Sequence, residues 1–329
     1  MVMDAGEREL FEAALRGVVD QHAGDGRGLD AALDDMGWPD ALAADPRVAV
    51  SVLFERQGEA NATSSALDSV VRHALGLGAD PSGRVALPPL GTWHPPGVLA
   101  EGGLSVQGLV VPAPAPDPGP LLVVADAGAG TSALVVDAAD LSARPVQGLD
   151  PGLGVALVSG AAAPGAAGPG RPRTLAHDAW AHAVDHARLA VGHELVGAAT
   201  RMLELARAHA VDRVQFGRPI AGFQAVRHRL AETLVAVEGA RALLDAAWEA
   251  PSAEAAAMAK ATAGRSARTA ARHCQQVLAG VGFTTEHPLH RYVRRVLVLD
   301  ELFGSSRVLT SALGEDLLAG APLPAPIPL

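Results

Sequence analysis

The chain has 329 residues, 49% hydrophobic and only 3% aromatic, which is enough apolar material for one large core or two to three smaller ones. Set against 36 Asp and Glu, 26 Lys and Arg leave a formal charge of −10, which argues against nucleic acid or an anionic lipid surface as a partner. The single Cys274 excludes an internal disulfide and a cysteine-rich metal site, and reads as a small buried hydrophobe.

The chain opens Met-Val-Met-Asp-Ala-Gly-Glu-Arg, without the basic start and apolar run of a signal peptide. No window offers the roughly 18 apolar residues of a membrane span, so the expected location is the cytoplasm. Residues 1–80 carry helical spacing at Leu10, Ala14 and Val18, then Leu42, then Val50, Leu53 and Phe54, which predicts several short helices. From 81 to 175 Pro and Gly become frequent and short β-branched runs appear at Leu109–Val111, Leu121–Val124, Leu134–Val136 and Val155–Val158. These are strand signals and predict a small β-domain. Gly128-Ala-Gly130 lacks the third glycine and following helix of a nucleotide fingerprint. The Ala/Pro/Gly tract Ala161–Pro172 reads as a flexible link.

Helical periodicity returns at 176, through Leu195, Ala199, Met202 and Ala206, then Val226, Leu230, Leu234, Val237 and Leu244, with a break at Pro219 and Gly222. Further helices are expected over 253–279, 288–303 and 306–318. The chain thus reads as an α+β multidomain protein, mainly α. It has an N-terminal helical domain (1–80), a reduced middle β-domain with its linker (81–175) and a C-terminal four-helix bundle (176–329).

Two ordered blocks lie in that bundle. Arg213-Val-Gln-Phe-Gly-Arg-Pro-Ile-Ala-Gly-Phe-Gln224 resembles the acyl-CoA dehydrogenase signature that joins the first two long bundle helices. Gln276-Val-Leu-Ala-Gly-Val-Gly-Phe-Thr-Thr-Glu-His-Pro-Leu-His-Arg-Tyr-Val-Arg294 resembles the family's other C-terminal block. The resemblance covers 176–310 well, the N-terminal helices loosely and the β-domain weakly, with Leu149-Asp150-Pro151 its anchor there. In style it is similar to the short subunit of actinobacterial heterotetramers that act on steroid or other bulky acyl-CoA substrates.

The resemblance implies FAD as cofactor and α,β-desaturation of an acyl-CoA thioester as the reaction. Arg213 would meet the flavin pyrophosphate of a neighbouring subunit, a role suited to a guanidinium fork; its plainer role is a solvated helix-end charge. Gln215 and Phe216 would line the same cofactor, and Ile220, Phe223 and Gln224 would lie near its adenosine end. Gln276 and Gly280 would let a helix approach the phosphate and ribose, although Gly280 also suits a simple helix end. Asp185 and Arg188, one turn apart, match the family pair that lines the acyl-CoA pocket; an ordinary surface ion pair is the alternative.

The family's catalytic carboxylate is missing. Aligned on Arg291-Tyr-Val-Arg294, Phe303 falls where the base stands, and Ala187 occupies the other known base position, before Arg188. Glu286, Glu301 and Glu194 are poor substitutes, each with a mundane role as a loop or helix-surface charge. His287 and His290 lack a third metal ligand. The β-domain lacks the usual flavin-contacting Thr-Glu-Pro segment, and 85–105 is short. The expected partner is therefore a longer homologous subunit in an α2β2 heterotetramer, supplying the base, with an electron-transfer acceptor downstream. Two alternatives are a structural pseudoenzyme without flavin and an oxidase or desaturase of secondary metabolism acting on a carrier-bound acyl group.

Overall fold

The computed structural model describes residues 5–23, 26–77, 84–101, 103–112, 119–148, 150–163 and 172–321. Five helices lead: α1 (Ala5–Gln21), α2 (Gly26–Asp35), α3 (Trp38–Ala44), α4 (Pro46–Ala60) and α5 (Ala66–Ala74). The start of α4 is fixed by Pro46 and by the Asp45 carboxylate, which accepts the Val48 N–H at 3.1 Å. Its end is a left-handed Asn61 at φ 52°. The buried face of α1 is not the expected stripe. Leu15 and Val19 are fully buried while Leu10 is 75% exposed and Ala14 faces solvent. The periodicity identified the helix and missed the face by one residue, a rotation of about 100°.

Eight strands follow: β1 (Arg84–Val85), β2 (Gly97–Ala100), β3 (Gly103–Val110), β4 (Pro120–Asp126), β5 (Thr131–Asp137), β6 (Ser142–Pro145), β7 (Ala156–Ala162) and β8 (Arg173–Thr174). Their order is β6-β7-β3-β2-β4-β5-β8, with β1 beside β4. All pairs are antiparallel except β1 and β2 against β4. Period-two alternation gives the sheet two apolar faces. Leu121, Val123 and Ala125 close a small core with Leu104, Val106, Leu134 and Val158, while Leu122 and Val124 join the core shared with the helices. The anticipated link begins inside β7, which runs to Ala162; residues 164–171 and Leu149 lie outside the described residues.

The C-terminal helices are α6 (Ala179–Asp212), α7 (Gln224–Glu249), α8 (Ala253–Leu278), α9 (Leu289–Glu301) and α10 (Ser306–Leu318). Between α6 and α7 stands a hairpin of β9 (Val214–Gln215) and β10 (Arg218–Pro219). Alanines at 256, 259, 263, 267 and 270 bury one side of α8 and let its neighbours approach closely. On α7, Val237 and Leu244 are buried as expected, but Leu234 is 49% exposed and Thr233 takes the inward place. The N-terminal helices dock on α6 where α4 crosses it. A Cβ on Gly197 would run into the Glu55 carbonyl, and one on Gly58 into the Glu194 carbonyl. Among the described residues no helix is long and apolar enough to cross a membrane, and no group of three or more His, Cys, Asp or Glu could hold a metal ion.

Candidate functional site

Up-and-down connectivity sorts the singled-out residues to opposite ends of α6. One end gathers the close of α6, the hairpin, the start of α7 and the α8–α9 connection. Thr233 of α7 meets His273 of α8 there at 2.9 Å, and His209 of α6 lies within electrostatic reach of His287. Arg213, Gln215, Phe216, Ile220, Phe223, Gln224, Gln276 and Gly280 therefore share this end.

The hairpin is built on a two-residue turn. Gln215 pairs with Arg218, and the turn residues Phe216 and Gly217 both have positive φ, 54° and 77°. Such a turn suits Gly second and Asn or Gly first, because a bulky side chain at left-handed φ is strained. Phe216 nevertheless occupies the first place and is 92% exposed. Its ring stands in a T-shaped arrangement with Phe223, centroids 6.1 Å apart, and Phe223 in turn lies 4.2 Å beneath the Arg218 guanidinium. Ile220 is half-buried against the core, Gln224 is the exposed first residue of α7, and Gln215 gives its amide to the Val214 carbonyl at 2.8 Å. Arg213 caps α6, its N–H on the His209 carbonyl at 2.9 Å, and its side chain is exposed.

Charge at this end runs against that of the whole chain. Residues 213–229 contain Arg213, Arg218, Arg227 and Arg229 and no Asp or Glu. Phe283 adds a second ring at 71% exposure. Gln276 is exposed, and Gly280 has nothing within 4 Å of where a Cβ would stand, so the chain's own packing does not require a glycine there. Cations, exposed rings and an open glycine together can receive an anionic, ring-bearing group.

The opposite end is closed. Phe303 is 1% exposed at φ 55°, and the buried Arg188 donates to its carbonyl at 3.2 Å. The same guanidinium lies 5.1 Å from the Trp93 ring and 3.5 Å from Asp185. Burial of Arg188 removes the surface-pair reading of this couple. Burial also raises the Asp185 carboxyl, with Arg188 pulling it back. Ala187 is fully buried, and Trp180 donates to the Trp93 carbonyl at 2.9 Å. Beneath the turn, fully buried Lys260 donates to the carbonyls of Asp300 (2.9 Å) and Gly304 (3.2 Å), and burial pushes its ammonium down to about 8. Asp300 in turn accepts from Arg268 (2.5 Å) and from the Ser306 N–H (3.0 Å) and hydroxyl (3.1 Å).

Two of the three substitute carboxylates are held in ion pairs. Glu301 pairs with Arg268 at 3.3 Å, Glu194 with Arg295 at 3.3 Å, and Glu286 lies on an exposed loop. His287 accepts the Leu289 N–H at 3.2 Å, an intraloop role. Sequence reasoning missed Lys260, Asp300 and Trp93. Lys260 left a signal, the lone charge between Ala255 and Gly264 in an alanine run; Trp93 comes from the β-domain and left none.

Residues 178–318 match the sequence profile described as acyl-CoA dehydrogenase, C-terminal domain. That stretch, α6 to α10, is thus similar to an acyl-CoA dehydrogenase C-terminal domain. Over 139 residues it is 37% identical to the acyl-CoA dehydrogenase IpdE2 of Mycolicibacterium smegmatis, covering 42% of this chain and 44% of that protein. It is 39% identical over 129 residues to the acyl-CoA dehydrogenase FadE34 of Mycobacterium tuberculosis, covering 37% of this chain and 18% of that one. The matched stretch thus spans less than half the length of these relatives. The fold extends the likeness along the chain. The Tcur3481-Tcur3483 steroid ACAD superposes with TM-score 0.79 at 24% identity, covering 96% of this chain and 99% of that one. The ChsE4-ChsE5 complex from Mycobacterium tuberculosis gives 0.77 at 23%, covering 98% and 99%. The shared fold therefore extends over the N-terminal helices and the sheet as well as the C-terminal helices.

Proposed function

We propose that this chain is a cytoplasmic subunit of a heteromeric FAD-dependent acyl-CoA dehydrogenase that desaturates acyl-CoA thioesters of bulky, steroid-like type. A longer homologous subunit supplies the catalytic base. The observation that carries this reading is the separation of the two ends. Arg188 and Asp212 stand 24 residues apart in α6, about 36 Å at about 1.5 Å per residue. A dinucleotide seated at Arg213 does not reach the Phe303 turn of the same chain, so the cationic end serves a reaction centre outside this polypeptide. Two of the structurally similar proteins carry paired names, which agrees with an unlike partner.

The residues fit the cofactor. Arg213 offers a fork of donors to a pyrophosphate, with Arg218 adding positive field, and Phe216 and Phe283 offer exposed faces for a ring system. When bound, the flavin supplies the hydride acceptor for desaturation. This chain contributes binding and orientation. Proton abstraction falls to the partner because Phe303 and Ala187 have no group that accepts a proton.

The satisfied, closed Phe303 end also favours a second reading, a scaffold that binds no flavin. Flavin content separates the two. Purified with its partner, the wild-type complex is expected to be yellow, and Arg213→Ala should weaken flavin retention at least tenfold, the worth of one charge-assisted contact. Equal flavin occupancy in the variant sinks the shared-cofactor reading. Mass spectrometry of the co-purified chain identifies the partner, and isolated chain that desaturates a thioester unaided contradicts the division of labour.

A further inference from the structure

Away from both ends lies a buried polar cluster that the proposed chemistry does not use. Arg295 of α9 is fully buried and reaches three parts of the chain. Its Nε donates to Asp150 in the β6–β7 connection at 2.5 Å. Its Nη1 donates to the Ala62 carbonyl in the α4–α5 connection at 2.7 Å and to Glu194 of α6 at 3.3 Å. Its Nη2 donates to the Thr63 hydroxyl at 2.9 Å, and that hydroxyl donates onward to the Gly152 carbonyl at 3.2 Å.

One guanidinium thus faces two carboxylates, with side-chain exposures of 7% for Asp150 and 6% for Glu194. The other charged and titratable neighbours do not balance them. Tyr292, on the preceding turn of α9, spends its hydroxyl on the Glu59 carbonyl at 2.9 Å, and Arg201 and Arg291 bear on Tyr292 rather than on the two acids. A second negative charge buried without a second cation is costly, so the acid farther from the guanidinium keeps its proton.

We propose that Glu194, Arg295 and Asp150 form a proton-holding joint that locks the N-terminal helices and the β-domain onto α6 and α9, and that loosens when Glu194 gives up its proton. Consistent with that charge count, burial pushes the Glu194 carboxyl up to about 7, with Arg295 opposing and Asp150 reinforcing the rise. The closed joint therefore binds a proton more tightly than the open one. Closure is fully favoured below the ordinary carboxylate value of 4.5 and weakens as pH climbs through about 7.

Hydrogen exchange of the full chain with its partner, corrected for intrinsic rates, reads the joint at residues 59–66 and 150–155. Opening is expected to rise about tenfold from about pH 6 to about pH 9 by linkage. Glu194→Gln keeps the neutral shape and should abolish that rise. Asp150→Asn removes the acid that reinforces the hold on the Glu194 proton, so the rise should begin at lower pH than in the wild type. A wild type flat across this range, or a Glu194→Gln variant that keeps the tenfold rise, overturns the proposal.

Discussion

The two ends of α6 answer opposite needs. Around Phe303, the buried cations Arg188 and Lys260 and the buried acid Asp300 all find partners within the chain, and the turn they hold is sealed. Around Arg213, an aromatic ring stands in a strained turn with 92% of its surface in water. The first end spends its polar groups on its own stability. The second carries strain without an internal return, the mark of a surface shaped for something outside the molecule.

The largest effect should come at the sealed end. Lys260→Met strips two buried carbonyls of their donor and should cost about 3 kcal/mol in denaturant unfolding. A loss below about 1 kcal/mol would show that the turn holds without it. Acid should loosen the same end. Burial pushes His186, which packs edge-on to Trp248, down to about 4 from its ordinary 6.5. The unfolded chain then binds that proton more readily, so the contribution is complete above pH 6.5 and fades as pH falls toward 4. Thermal melting of His186→Gln against wild type should diverge across that window, and parallel curves would remove the histidine from the account.

At the exposed end the expected stability changes are small and one is favourable. Phe216→Asn, better suited to left-handed φ, should stabilise the chain by roughly 0.5 kcal/mol while weakening flavin retention. Arg213→Ala should leave unfolding unchanged within about 0.5 kcal/mol. If either variant lost flavin only through unfolding, the contrast between the two ends would fail.

Much of this was legible in the sequence. Strand runs at 121–124 and 134–136 and helices over 253–278 and 306–318 announced themselves because periodicity and turn residues act locally. Which face a helix buries was harder. Leu10 and Leu234 follow the spacing, yet tertiary packing turned both outward. Of the adjacent Arg294 and Arg295, only the second is buried in the joint, a choice made by Asp150 and Ala62 far along the chain. The exposed block 213–224 was readable because its residues follow one another in a single short segment. Trp93 over Arg188 was not, since a contact between segments nearly a hundred residues apart leaves no local trace.

The reciprocal glycines of the α4–α6 crossing also govern how the molecule can move. With each helix backbone seated where the other lacks a side chain, sliding by one residue would bring Glu194 or Glu55 groups against a Cβ. Shear along α6 is therefore blocked, and the leading helices can part from it only by swinging outward on a pivot.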